Sequence, residues 1–128
     1  MIDSTSTAAV PGPGAAQRSL AFAGAVLAAA SVGLSAYASH VAVGAGQAAL
    51  LVGAAIAFGH GLALAALSRQ AKRRVAVFAL VAILAGTLLF SGGLVAAHFT
   101  GAAARTAPFG GSLLIVAWLA WAVDVLRK

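Results

Sequence analysis

The sequence predicts an all-α integral membrane bundle of four transmembrane helices, with both termini in the cytoplasm. Three observations support this fold class. Of the 128 residues, 62% are hydrophobic and only 8% are charged, whereas soluble domains are about 45–50% apolar and about 25% charged. Four apolar runs each approach the roughly 20 residues that a helix needs to cross a bilayer. Basic residues collect at alternate ends of these runs.

The chain divides into a tail, residues 1–17, and a transmembrane domain, residues 18–128. The tail is small and polar and contains Pro11 and Pro13, a composition typical of disorder. The predicted spans are residues 19–39, 47–67, 75–97 and 107–126. Because unsatisfied backbone groups cannot face lipid, these runs must form helices. Short connections make consecutive helices antiparallel.

The first span has an alternative interpretation as a cleaved signal peptide. Its apolar core follows Arg18, and Ala36-Tyr37-Ala38 resembles a small-x-small cleavage site. Cleavage would leave three spans. We favour a retained helix, because the run is long, the basic region is a single arginine, and small residues recur along one face. Those residues are Gly24, Ala28, Ser31 and Ser35.

The third span carries a second face suited to close helix packing, formed by Gly86, Phe90, Gly93 and Ala97. Beside it lie Thr87, Ser91 and His98. For Thr87 we favour a hydrogen bond to its own helix's carbonyls. For Ser91, which precedes two glycines, a bond to the backbone of another helix stays open as an alternative.

His60 is the one ionisable side chain in the middle of a span. Its helix face includes Gly53, Ala57 and Ala63, so the ring is expected to point at a neighbouring helix. An ionisable side chain inside a membrane is a functional candidate by default. The alternative, which we favour, is a neutral ring that holds helices together through hydrogen bonds. The expected partners are backbone carbonyls or the hydroxyls of Ser31, Thr87 or Ser91.

The residue inventory argues against an enzyme. The chain has no cysteine, and Asp3 and Asp124 are its only carboxylates. General acid–base catalysis by paired carboxylates therefore has no candidates, and we predict no catalytic residue, cofactor or metal. The predicted role of Asp124 is a helix-end ion pair with Arg127 or Lys128.

Two further histidines, His40 and His98, lie at the ends of spans one and three. His60 is nearer to the end of its own span at residue 67, which lies at the other membrane face. The difference in depth excludes one metal site for all three rings. His40 and His98 could approach each other, but without a carboxylate they would make a weak site. The favoured interpretation is that both are solvated interface residues.

Four stretches, "SAYASH" (35–40), "HGLALAAL" (60–67), "LLFSGGL" (88–94) and "APFGGSLLIVAWL" (107–119), occur in this order. Together they resemble the membrane protein family called domain of unknown function 423, related to transmembrane protein 256. The resemblance implies the following recurring positions: His40, His60, Phe90, Ser91, Gly92, Pro108, Gly110 and Gly111. The chain departs from the family before His60, where an apolar stretch, residues 47–59, replaces a more polar one. The family has no established activity, so the resemblance implies a fold and no reaction.

Two function classes follow from these observations. The first is a membrane accessory or interaction component that contacts the lipid bilayer, other membrane proteins or itself. The second is a small transporter or channel that uses His60 and the polar stripe on the third helix. A continuous polar cavity reaching His60 would separate them. The net charge of +6 does not indicate nucleic acid, because the basic residues lie at the ends of apolar runs.

The basic residues also predict the orientation. Loops rich in lysine and arginine stay in the cytoplasm. One side receives both termini and the second loop, and it carries seven basic residues; the other side carries only Arg105. We therefore predict a multi-pass protein of the cell membrane, in a bacterial plasma membrane, with both termini in the cytoplasm.

Overall fold

The computed structural model describes residues 12–127 and contains four long helices. They are α1 (Ala15–His40), α2 (Gly44–Leu67), α3 (Arg74–Thr100) and α4 (Ala107–Leu126), and a single 3₁₀ turn (Ser68–Gln70) follows α2. All four helices are long and apolar enough to cross a membrane. The all-helical architecture with four candidate spans is confirmed.

The helix limits differ from the predicted spans mainly at the ends. α1 begins at Ala15, three residues before the predicted start of the transmembrane domain at residue 18. Of the rest of the predicted tail, residues 12–14 have no regular secondary structure and residues 1–11 lie outside the described residues. α4 has the predicted limits. α3 ends at Thr100 and is capped by Gly101, whose φ of 71° is left-handed and whose N–H donates to the carbonyl of Ala97. Glycine adopts this conformation without steric cost, so it stops the helix cleanly.

Two close helix crossings hold the bundle together, one between α1 and α2 and one between α3 and α4. At the first, a Cβ placed on Gly24 would lie 2.6 Å from the carbonyl oxygen of Gly61. At the second, a Cβ on Gly110 would lie 2.6 Å from the carbonyl oxygen of Gly86. Real Cβ atoms do not approach backbone this closely, so the glycines permit these crossings.

The apolar surface of the bundle faces outward as well as inward. Leu64, Leu80 and Ile83 are fully buried between the helices. Large apolar side chains are more common on the outside of the described chain; Phe22 and Phe78, for example, are 72% and 71% exposed. An exterior this apolar is suited to lipid and unsuited to water.

The two ends of the bundle differ in charge. Gln17 donates to the carbonyl of Ala71, which joins the start of α1 to the connection between α2 and α3. The end of α4 joins them through Arg73. We call this end the basic end; among the described residues it carries Arg18, Arg69, Lys72, Arg73, Arg74 and Arg127. The opposite end carries Arg105, His40 and His98.

Candidate functional site: a histidine–tryptophan pair between α2 and α4

His60 lies half-buried where α2 faces α4. Its Nδ1 lies 2.7 Å from the carbonyl oxygen of Ile56, one turn earlier in the same helix. Its Nε2 accepts a hydrogen bond of 3.1 Å from the indole Nε1 of Trp118. The two ring centroids are 6.0 Å apart and the rings are inclined at 54°. Both ring nitrogens of His60 therefore have partners.

The partners determine the tautomer of this histidine. An indole N–H only donates, so Nε2 must carry the accepting lone pair. A carbonyl oxygen only accepts, so Nδ1 must carry the proton. The ring is consequently assigned as neutral, with its proton on Nδ1. A proton or ligand could reach Nε2 only if the bond to Trp118 were broken.

The observed partners differ in part from those expected. A backbone carbonyl is used, but it belongs to His60's own helix. The hydroxyls of Ser31, Thr87 and Ser91 bond elsewhere, and Trp118 was missed. Trp118 could have been predicted as the partner by comparing the depths of polar side chains in the membrane. With a rise of 1.5 Å per residue, His60 lies about 10 Å and Trp118 about 12 Å from the ends of helices that finish on the same side.

A groove of about 490 Å³ passes beside this pair. Apart from His60 and Trp118, its lining is apolar: Ile56, Phe90, Gly111, Leu114, Ile115 and Leu119. Ile115 and Leu119 are 65% and 62% exposed, so the groove opens sideways to the outer surface of the bundle. Such a lining suits an apolar side chain or an acyl chain and gives ions no hydration.

The buried hydroxyls of Ser31, Thr87 and Ser91 all donate to backbone carbonyls. Ser31 bonds Leu27 and Thr87 bonds Ile83, each within its own helix at 2.7 Å. The Thr87 bond is the one favoured from the sequence. Ser91 instead reaches across to α2 and bonds the carbonyl of Gly53 at 2.8 Å. Ser91 thus joins α3 to α2, whereas the other two hydroxyls satisfy themselves locally.

The two histidines at the opposite end lie in different environments. His40 is exposed, as expected for an interface residue. His98 is half-buried; its Nε2 lies 3.4 Å from the Tyr37 hydroxyl and its ring meets Phe99 edge-on at 5.0 Å. Within residues 12–127, no three histidine or carboxylate side chains are grouped as metal ligands.

The start of α4 has a packing role. Pro108 occupies the first turn of the helix, where its missing N–H costs no hydrogen bond. Gly110 lies against the backbone of α3, and a Cβ on Gly111 would lie 3.7 Å from the ring of Phe90. Gly110 and Gly86 let α4 approach α3 closely, whereas a Cβ at Gly111 would make only an ordinary van der Waals contact.

Asp124 makes a different ion pair from the one predicted. It is 2% exposed, and its Oδ1 lies 3.7 Å from Nε of Arg73, at the start of α3. Arg127 instead contributes its backbone carbonyl, which accepts from Arg73 at 3.3 Å; Lys128 lies outside the described residues. Within the described chain, neither Asp124 oxygen accepts a hydrogen bond. This inter-helix pair could have been found from depth, since both residues lie at the basic end.

Comparison with known proteins does not identify this arrangement. The chain matches no family model, no curated protein and no solved structure.

Proposed function

We propose that this chain is a non-catalytic membrane component that acts through contacts with other membrane proteins, with itself or with the bilayer. One observation carries the proposal: the polar side chains inside the spans have partners within the bundle, and two of these bonds, from Trp118 to His60 and from Ser91 to Gly53, join helices. His60 is bonded to Ile56 and Trp118, and the buried hydroxyls donate to carbonyls. Interhelical bonds of this kind stabilise membrane bundles modestly and need no substrate.

The alternative, a small transporter or channel, would require a polar route through the bundle. The groove at His60 is apolar and opens sideways. The hydroxyls of Ser31, Thr87 and Ser91 lie along a second apolar groove of about 300 Å³ between α1, α2 and α3. An ion entering either groove would lose its hydration without replacement. These linings favour the accessory role.

Two further features belong to the proposal. The excess of basic residues at one end supports cytoplasmic termini, and a plasma membrane location is part of the same proposal. The four stretches that contain His40, His60, Ser91 and Pro108, and their order along the chain, support membership of the family called domain of unknown function 423. Membership would leave the role open, because that family has no established activity.

A flux assay tests the proposal against the transporter alternative. The full chain and its His60→Leu variant are reconstituted in liposomes that contain a pH-sensitive dye, and a potassium diffusion potential is imposed. We expect both proteins to leak protons at the rate of empty liposomes. Proton flux that requires His60 would overturn the accessory role.

A second experiment tests interaction directly. Native gels of mildly solubilised membranes should place the 12.4 kDa chain in a stable assembly with a defined partner or with copies of itself. Migration only as a monomer, in membranes that retain known complexes, would contradict a role in interaction.

A further inference from the structure

A pocket of about 600 Å³ lies at the basic end, and Arg73, which pairs with Asp124, forms one of its walls. Its lining consists of Arg69, Gln70, Lys72 and Arg73. All four residues are exposed. The positive-inside tendency explains why cations lie at this end of the bundle. It does not explain why three of them surround one concave space.

The loop that carries these cations is held in place. Ser68 and Ala71 are fully buried beneath it. Gln17 of α1 donates to the carbonyl of Ala71 at 3.0 Å, and the Lys72 N–H donates to the carbonyl of Gln70 at 3.0 Å. An anchored loop of this length keeps like charges close together, so the pocket concentrates positive potential.

The neighbouring groups do little to neutralise that charge. Asp124 is the only carboxylate in residues 12–127; it is 2% exposed and lies behind Arg73. The first turn of α3 contains no acidic residue, and no side chain caps its N–H groups. These N–H groups add partial positive charge beside the pocket. The positive charge of three side chains and a helix N-terminus is therefore opposed by the negative charge of one buried carboxylate.

We propose that this pocket binds the phosphate group of an anionic phospholipid in the leaflet at the basic end. Guanidinium and ammonium groups form charge-assisted hydrogen bonds with phosphate oxygens, and basic pockets at the cytoplasmic membrane face suit such headgroups. An apolar surface begins within one turn of the pocket: Val75 and Phe78 are 46% and 71% exposed. It would accompany the acyl chains, which selects a lipid over a free phosphate.

The test uses the full chain, delipidated in detergent and titrated with phosphatidylglycerol or phosphatidylcholine of identical acyl chains, with native mass spectrometry as the readout. We expect phosphatidylglycerol to bind in preference. The double variant R69Q/K72Q should bind it about thirtyfold more weakly, since each of the two basic residues contributes roughly 1 kcal/mol near an anionic surface and every 1.4 kcal/mol is tenfold in affinity. The matched control R18Q/R127Q removes two cations from the same end but outside the pocket, and should bind like the parent.

Several results would overturn the proposal. These are an equal loss of phosphatidylglycerol affinity in both double variants, equal binding of the two lipids by the parent chain, or displacement of phosphatidylglycerol by an equal concentration of inorganic phosphate. If R69Q/K72Q does not fold, the single variant K72Q replaces it against R18Q. The proposal rests on the proposed membrane placement, which is tested separately: the chain must resist carbonate extraction. The phospholipid-binding proposal does not depend on the results of the flux assay or of the native gels.

Discussion

At the scale of single residues, the His60–Trp118 hydrogen bond is the contact that couples α2 to α4 inside the bundle. Trp118→Phe keeps an aromatic ring but removes the donor, and His60→Leu removes the acceptor. We expect each change to lower the free energy of unfolding by about 1 kcal/mol, as for interhelical bonds in other membrane proteins. Unfolding by denaturant in mixed micelles measures this.

The double variant serves as the control for lost packing. If the bond contributes, the two effects are not additive, and the coupling free energy should be about 0.6–1.7 kcal/mol. Strictly additive losses would mean that His60 and Trp118 act only through ring volume, and the assignment of the neutral Nδ1–H tautomer would lose its support.

The Arg73–Asp124 pair gives a second residue-scale prediction. Arg73→Gln would leave a buried carboxylate with neither a cation nor, in the described chain, a hydrogen-bond donor. We expect it to destabilise the protein by about 1–3 kcal/mol, less than for fully buried pairs because Arg73 is half exposed. Asp124→Asn removes the buried charge, so it should restore most of the loss in the double variant. Thermal unfolding checks this, and failure of rescue would show that Arg73 stabilises through other contacts.

At the scale of helices, the crossing of α1 and α2 depends on Gly24. A Cβ there would lie 2.6 Å from the carbonyl oxygen of Gly61 and 2.7 Å from the backbone nitrogen of Ala65. Because backbone cannot move aside as a side-chain tip can, Gly24→Ala should cost about 1–3 kcal/mol of stability. Gly33, on the same helix, has open space around it. Gly33→Ala should therefore be neutral or slightly stabilising, and equal thermal shifts in the two variants would contradict the described crossing.

The contact between α3 and the start of α4 gives a second helix-scale prediction. A side chain at Gly93 would collide with Thr106 and with the backbone of Ala107. Gly93→Leu should therefore lower the thermal stability in detergent more than Leu94→Phe does. An equal response to both substitutions would mean that Gly93 does not face α4.

The helices could be predicted from sequence because each is a local property of an apolar run, and α4 has the predicted limits. Side-chain partners are a different matter. Ser91 reaches Gly53 on another helix, and Asp124 pairs with Arg73 at the start of α3. Such contacts depend on the rotation of each helix about its axis and on the angle at which helices cross. The apolar periodicity within one helix determines neither. Comparing the depths of polar residues in the membrane narrows the candidate partners, but it does not show which face of each helix points toward its neighbour.

At the scale of the whole molecule, the separation of charge between the two ends predicts the orientation. Six described basic residues lie at one end and Arg105 alone lies at the other. Both ends of the helical bundle's chain, at Ala15 and Leu126, belong to the basic end, as an even number of spans requires. Because basic segments of short loops translocate poorly, we expect this end to face the cytoplasm.

Reporter fusions test this orientation. A reporter that is active only in the cytoplasm should be active after Arg127. One that is active only outside should be active when inserted in the connection between α1 and α2, which is limited to residues 41–43 because Gly44 begins α2. As a control, removing four cations with R69Q/K72Q/R73Q/R74Q should weaken the bias and yield a mixed orientation. An external C-terminus in the parent chain would overturn the predicted orientation. An internal first connection with an internal C-terminus would instead overturn the four-span arrangement, since α1 would then not cross the membrane.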